Sequence, residues 1–223
     1  MNQTRNVVLA VVFLGAGCAT EVEGTDDEGD VQRGGQKGCD DWMSSPDGFG
    51  ESAAIVETAD VHRFSDYGVV AGADANLHRA KCAHELEEFT RELPAGHVVT
   101  LFYVVYNAPW NCTNPIPGLS NCSIPDSQNP ATQPSVLWAD GDIASGSGTA
   151  NFTGLIGLGL AGAPGEVLFG GGLTNITTSE VHYLTRDKGV PINGRVEEQR
   201  TTYGGGCDVA TCVDVQFALF PAP

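Results

Sequence analysis

The feature that most constrains the fold is the apolar run at residues 97–107, HVVTLFYVVYN. Most of its residues are β-branched or aromatic, which favours a strand, and the run is too short to cross a membrane as a helix. In a strand, Leu101 and Tyr103 point to one face while Phe102 and Val104 point to the other, so both faces are apolar. Other elements must then cover both faces. The run therefore predicts the central strand of a β-sheet protein.

Further segments with strand character flank this run. They are residues 53–64, 67–71, 73–80, 135–138, 150–160, 165–169, 179–186 and 214–220. Turn signals separate them, and the chain contains 29 glycines. This pattern predicts an all-β domain, an antiparallel β-sandwich of the immunoglobulin-like kind.

One segment has helical character instead. Residues 83–93, AHELEEFTREL, are strong helix formers with acids near the start, and Pro94 would end the helix. The composition predicts one short helix here, with a hairpin arm as the alternative.

The charge of the chain limits its partners. Eleven Lys and Arg stand against 28 Asp and Glu, a formal net charge of -17. Few cations are available to neutralise phosphates, so we expect no nucleic-acid partner and no attraction to anionic lipid. The acids serve either solubility or the attraction of divalent cations.

Residues 1–17 have the pattern of a signal peptide, with Arg5 ahead of an apolar run and small residues after it. Cys18 follows, in a context that resembles the bacterial lipoprotein box, although Leu14 lies four places before the cysteine where that family has leucine three places before. The resemblance implies lipidation of Cys18 and, because Ala19 is not Asp, the outer membrane. The alternative is an ordinary signal peptide with a chance cysteine.

The next segment changes in composition. Residues 18–38 are rich in acids and glycine and have almost no bulky apolar side chains, so they predict a flexible acidic linker. Residues 39–223 then form a single domain.

Six cysteines remain in this domain, and an even number in an exported chain predicts disulfides. Spacing favours the pairs Cys39–Cys82, Cys112–Cys122 and Cys207–Cys212. A metal site formed by His78, Cys82 and His84 is the competing interpretation.

Two motifs, one for nucleotide binding and one for zinc proteases, occur without a feature that each function needs. Residues 157–162 fit G-x-G-x-x-G, but Pro164 follows where a helix would have to begin. His84-Glu85 begins a zinc-protease H-E-x-x-H motif, but Glu88 occupies the position of the second histidine. Neither motif predicts its function here, and the sequence implies no cofactor.

One constellation carries possible chemistry. In a strand over residues 179–186, alternation places Glu180, His182 and Arg186 on one face. They could bind a metal through the imidazole, hold an anion, or form a hydrogen-bonded cluster. The alternative is a solvated face with cross-strand ion pairs. These three residues are the candidate ligand site.

Asp140 and Asp142 form a second, weaker candidate. The sequence Asp-Gly-Asp could offer two carboxylates to calcium, but it lacks the further spaced acids of an EF-hand loop. The surrounding residues 139–149 predict a turn.

The order of several segments resembles a group of uncharacterised secreted bacterial β-domain proteins. The segments are VVTLFYVVYNAPWNC, then EVHYLTRDKG, then Gly204-Gly205-Gly206-Cys207, then DVQFALF, and the resemblance covers about residues 96–220. The region around Val181 and His182 is also similar to CHRD-type β-domains. These resemblances imply a β-sandwich, immunoglobulin-like or CHRD-like, in the cell envelope or secreted, and no particular activity.

Together these features predict a lipid-anchored cell-envelope protein with a binding or structural role and no catalysis. Its partners would be the membrane, through the N-terminal lipid, and a protein or glycan ligand. Edge strands and the long loop at residues 108–134 are the expected contact surfaces. The alternatives are a secreted metal-dependent hydrolase using His182 and a calcium-dependent carbohydrate-binding module using Asp140 and Asp142.

Overall fold

A computed structural model describes Cys39 and residues 55–159, 167–207 and 212–223. The predicted signal peptide (1–17), the lipidation site Cys18 and the predicted linker (18–38) lie outside the described residues.

In this described part of the chain, ten strands form two antiparallel sheets. The strands are β1 (Ile55–Ala59), β2 (His62–Arg63), β3 (Asp74–Arg79), β4 (Ala83–Thr90), β5 (Val98–Tyr106), β6 (Pro134–Ile143), β7 (Ala150–Gly157), β8 (Val167–Phe169), β9 (Glu180–Asp187) and β10 (Val213–Phe220). The smaller sheet has the order β1-β3-β4-β7, and the larger has the order β2-β10-β9-β5-β6-β8. The predicted all-β antiparallel sandwich is confirmed.

The prediction of β5 as a central strand is also confirmed. It pairs with β6 on one side and β9 on the other, and its residues are almost all buried. Leu101 and Tyr103 pack in the core between the sheets. On the opposite face, the Phe102 ring lies 5.2 Å from the Tyr203 ring, and the Tyr106 hydroxyl donates a 2.8 Å hydrogen bond to the Ser123 carbonyl. Both apolar faces are therefore covered.

The helix predicted at residues 83–93 is wrong, and the hairpin-arm alternative is correct. This segment is β4, which pairs with β3 and β7. Its core-facing residues include His84, Glu88 and Thr90, all buried. Because polar residues occupy the inner face, the alternation of apolar and polar residues that marks a strand is hidden in the sequence.

The short helix lies elsewhere, as α1 at Val196–Thr201. It packs on the outer face of the larger sheet, where the Thr100 hydroxyl donates a 2.9 Å hydrogen bond to the Gln199 carbonyl. The Arg200 carbonyl approaches Gly141 so closely that a Cβ there would lie 2.3 Å from it. Gly141 therefore allows α1 to lie directly on β6.

The cysteines are paired as their spacing indicated. Disulfides join Cys39 to Cys82, Cys112 to Cys122 and Cys207 to Cys212. The second of them closes part of the long connection between β5 and β6, which also contains 3-10 turns at Pro109–Asn111, Ile124–Gln128 and Pro130–Thr132.

No helix in the part of the chain that the structure describes combines the length and apolar character needed to span a bilayer.

Candidate functional site

Glu180 and His182 lie together on the outer face of β9, as the alternation predicted. Both are buried, with 0% and 7% of their surface exposed, so this part of the face is not solvated. The loop closed by the Cys112–Cys122 disulfide covers them and brings Ser120 into contact with both side chains. We call Ser120, Glu180 and His182 the anchor cluster.

The Glu180 carboxylate accepts hydrogen bonds from four groups. It accepts from the Ser120 hydroxyl at 2.5 Å, the Cys122 amide at 2.8 Å, the Asn121 amide at 3.2 Å and His182 Nε2 at 2.9 Å. Burial alone would raise the pKa of Glu180, but the bonds from His182, Ser120 and Cys122 outweigh it, and the pKa lies below its ordinary value. The ionised carboxylate therefore fastens the disulfide loop to the sheet.

The anchor cluster contains serine, histidine and a carboxylate, but it lacks the geometry of a catalytic triad. In a triad, the serine and the acid bond to opposite nitrogens of the imidazole. Here Ser120 Oγ, at 3.0 Å, and Glu180 Oε1, at 2.9 Å, both contact Nε2 of His182. The carboxylate keeps a proton on Nε2, so that nitrogen has no lone pair with which to activate the serine.

Arg186 does not join this pair. It lies four residues beyond His182 on β9, a separation of roughly 13 Å along an extended strand. Its Nε donates a 2.6 Å hydrogen bond to Asp214, and its guanidinium lies 4.0 Å from the centre of the Tyr203 ring. The three predicted residues share a face but form two separate clusters.

A charged cavity of about 500 Å³ lies near this second cluster and is lined by His97, Asp187 and Lys188. His97 Nδ1 is 2.9 Å from the Asp187 carboxylate, which also accepts a 2.7 Å bond from the Gly189 amide. Lys188 Nζ donates to the Thr202 and Tyr203 carbonyls, each at 2.6 Å, and burial lowers the pKa of Lys188 to about 8. Each ionisable group here already has a partner within the protein.

The competing metal site at His78, Cys82 and His84 is not formed. Cys82 is bonded to Cys39, and His78 faces Glu85 at 3.7 Å. Among residues 55–159, 167–207 and 212–223 with Cys39, no three His, Cys, Asp or Glu side chains are grouped to hold a metal ion.

His84 is buried in the core as a neutral imidazole. Its Nε2 donates a 2.8 Å hydrogen bond to the Ile176 carbonyl, so Nδ1 is the acceptor and receives the Tyr103 hydroxyl. Burial lowers the pKa of His84 to about 3. This histidine holds the two sheets and the 173–179 segment together.

Asp140 and Asp142 lie in β6, so the turn predicted at 139–149 begins later, after Ile143. The Asp140 carboxylate accepts from the Gly141 amide at 2.7 Å and from the Thr153 amide at 3.0 Å, while Asp142 accepts from the Ile143 amide at 2.7 Å. Asp140 thus bonds to the backbone of β6 and β7, and Asp142 bonds to that of β6.

A second cavity, of about 480 Å³, opens at the end of the sandwich where β5 ends and β6 begins. One wall is the 127–134 segment of the long loop, and the other is formed by Phe169 of the edge strand β8 and the residues up to Thr174. We call this cavity the end groove. It lies between two features that the sequence favoured as contact surfaces, the long loop and an edge strand.

The individual residues of the end groove were missed. They come from separate loops and strand ends and are asparagine, glutamine, serine, threonine, proline, glycine and phenylalanine, and in this sequence none of them stands out as a catalytic or metal-binding residue. Two signals were present in the sequence. One is the run Gly170-Gly171-Gly172, and the other is the proline- and amide-rich segment that precedes β6.

Asn107 holds the two walls in place. Its side-chain amide donates 3.0 Å bonds to the Gln133 and Gly172 carbonyls, and its oxygen accepts from the Thr174 and Asn175 amides. All of its side-chain capacity is used in joining loop to loop, so the groove is a built and fixed feature of the fold.

Comparisons with models of protein families, with curated proteins and with solved structures find no match to this chain.

Proposed function

We propose that this is a lipid-anchored cell-envelope protein whose disulfide-linked sandwich binds an external ligand in the end groove and catalyses no reaction. The observation that best supports this proposal is the contrast between the groove and the charged clusters. The groove presents uncharged side chains at its surface, while Glu180, His97 and Lys188 are engaged by partners within the chain.

Three features support placement in the envelope. The leader at residues 1–17 has the pattern of an export signal, Cys18 follows in a lipoprotein-like context, and the disulfides suit an oxidising compartment. The acyl chains on Cys18 would hold the protein at the membrane, and the acidic linker would let the sandwich reach a ligand away from the surface.

The hydrolase alternative receives less support. A metal bound at Nε2 of His182 would displace Glu180 from that nitrogen, and losing the carboxylate would release the disulfide loop. For the calcium alternative, each carboxylate oxygen of Asp140 already accepts a bond from a backbone amide.

The anchor is tested by detergent-phase partitioning of the full-length protein and its Cys18→Ser variant from expressing cells. We expect the wild type in the detergent phase and the variant in the aqueous phase or retained with an uncleaved leader. Equal partitioning of a mature variant would contradict lipidation.

Binding is tested with a photoreactive phenylalanine analogue at position 169 in intact cell envelopes. Position 143 is the control, because Ile143 is exposed to a similar degree, 42% against 45% for Phe169, and ends the same strand that begins at the groove. We expect covalent adducts from position 169 alone. Apart from the photochemical bond, the attached ligand should be chemically unchanged, as a binding role without catalysis requires. Absence of adducts, or equal adducts at both positions, would contradict a binding role for the groove.

A further inference from the structure

The end groove is chemically unlike the rest of this chain. In a protein with a formal net charge of -17, none of the described residues lining the groove is Asp, Glu, Lys, Arg or His. A ligand recognised through its charge would require an opposite charge in the walls. The lining therefore favours an uncharged ligand.

The groove combines one apolar platform with several groups that form neutral hydrogen bonds. Phe169 leaves 45% of its surface exposed at the end of β8. Gln128 and Gln133 are exposed at the opposite wall, where the Gln128 amide contacts only the neighbouring Ser127 hydroxyl, at 3.4 Å, among the described residues. An aromatic face beside amides that both donate and accept is suited to a ring with C–H groups on its faces and hydroxyls at its rim.

The floor supplies a further polar group. Ser135 is 1% exposed, and its hydroxyl has no hydrogen-bond partner among the described residues. An unpaired buried hydroxyl is unfavourable, so the fold retains this serine at an energetic cost.

Gly170 packs over that hydroxyl and forms part of the groove floor. Its φ of +85° is in the left-handed region, and a Cβ there would lie 2.2 Å from the Pro134 carbonyl oxygen and 2.4 Å from Ser135 Oγ. A side chain at this position would cover the floor of the groove and strain the backbone. Glycine leaves the serine separated from the groove by backbone alone.

We infer that the end groove binds a neutral carbohydrate, with one sugar ring stacked on Phe169 and its hydroxyls bonded to the exposed amides of Gln128 and Gln133. The inference rests on the proposed binding function and supplies its ligand class. A volume of about 480 Å³ is within the range of sites for small ligands, which run from about 300 to 1,000 Å³. The described lining of the groove includes neither Asp140 nor Asp142, and the proposed contacts require no calcium.

The test is isothermal titration calorimetry of the full-length protein in a sugar-free detergent. The probes are neutral hexasaccharides of α-glucan, β-glucan, chitin, mannan and xylan, with hexagalacturonate as an anionic probe and a neutral proline-rich peptide as a protein-like probe. We expect saturable binding of at least one neutral hexasaccharide, with the same affinity in the presence of a calcium chelator.

Four variants locate the binding. Phe169→Ala is expected to weaken the affinity at least tenfold, Gly170→Ala to abolish it, and Gln128→Ala to weaken it about threefold. Ile143→Ala, the matched exposed apolar control, leaves it unchanged. Gln128→Ala keeps the test valid if Gly170→Ala fails to fold, because Gln128 is exposed and outside the core.

The outcomes separate the ligand class from the function. Binding of no neutral hexasaccharide overturns the inference, and binding that survives Phe169→Ala and Gln128→Ala does the same. If photoadducts still form at position 169 and the peptide or galacturonate binds instead, the groove remains a binding site and only the carbohydrate is wrong. If no adducts form at position 169 and none of the probes binds, both the carbohydrate inference and the proposed binding function are wrong.

Discussion

The anchor cluster and the end groove are two regions built from the same long loop, and they use polar side chains in opposite ways. In the anchor cluster, Glu180 is completely buried and receives four hydrogen bonds from within the chain. In the end groove, exposed amides and a buried hydroxyl have little or no bonding to the described residues. Side chains of the types that often act in catalysis thus maintain the fold in the anchor cluster, while uncharged side chains line the accessible end groove.

Residue types alone therefore do not identify a catalytic site in this protein. A histidine, a serine and a carboxylate in contact resemble a catalytic group, yet their bonding partners assign them to loop attachment. The distinction depends on which nitrogen is contacted and on how many donors the carboxylate already has.

Among the substitutions that test this difference, Glu180→Ala should have the largest effect on stability. Removing the carboxylate takes an acceptor from the Asn121 amide and leaves the Cys122 amide its longer, 3.2 Å contact with Ser120 Oγ. We expect the free energy of unfolding to fall by about 4 kcal/mol, as is typical when one member of a buried charged network is removed. Urea denaturation with the disulfides intact measures the change.

The matched control is Glu197→Gln, because the Glu197 side chain is 78% exposed and its contact with Arg200 is 3.8 Å. Its effect should be below about 0.5 kcal/mol. Equal effects of the two substitutions would show that the Glu180 bonds contribute nothing to the attachment of the loop.

The next test uses Glu88, a buried group that has one unpaired oxygen among the described residues, as Ser135 does, but that can also ionise. Its Oε1 accepts a 2.8 Å bond from Thr185, and its Oε2 has no partner among the described residues. Burial raises the pKa of Glu88 to about 7, while the Thr185 bond opposes this shift.

An acid whose pKa is raised by folding retains its proton in the folded state at pH values where the unfolded chain has lost it. The stability of the wild type should therefore fall, relative to Glu88→Gln, as the pH rises from about 4.5 to about 7, by about 3 kcal/mol in total. Above pH 7 the difference should be constant. Denaturation at a series of pH values measures it, and Glu87→Gln, an exposed neighbour on β4, should show no such slope. A difference for Glu88→Gln that does not vary with pH would contradict the raised pKa.

Apart from the controls, the smallest expected effect on stability is that of Phe169→Ala. The ring is 45% exposed and ends a three-residue edge strand, so its removal should cost less than about 1 kcal/mol. Thermal denaturation measures this loss alongside the calorimetric loss of affinity. A large loss of stability would make Phe169 a structural residue and remove the separation between groove and anchor.

The part of the fold that could be predicted is the part with strong local signals. β5 was evident because both of its faces are apolar, and the disulfides followed from short cysteine spacings. β4 was mistaken for a helix because its inner face contains His84, Glu88 and Thr90, whose partners come from distant strands or loops. A local pattern cannot contain that information.

The candidate site was predictable to the same extent. Alternation correctly placed Glu180, His182 and Arg186 on one face, because strand geometry is local. Their burial and separation depend on a loop some 60 residues earlier and on Tyr203, 17 residues later than Arg186. The end groove could not be predicted from the sequence, because its walls come from separate segments that meet only once β6 and β8 have paired.

The way in which Glu180 holds the disulfide loop has a consequence for how this protein can diverge. Two of its four bonds go to main-chain amides, which every residue except proline provides. Exposed loop side chains that form no hydrogen bonds, such as that of Pro117, can therefore be exchanged while the attachment persists. Relatives that keep a carboxylate at this position should display different loop surfaces on an unchanged support.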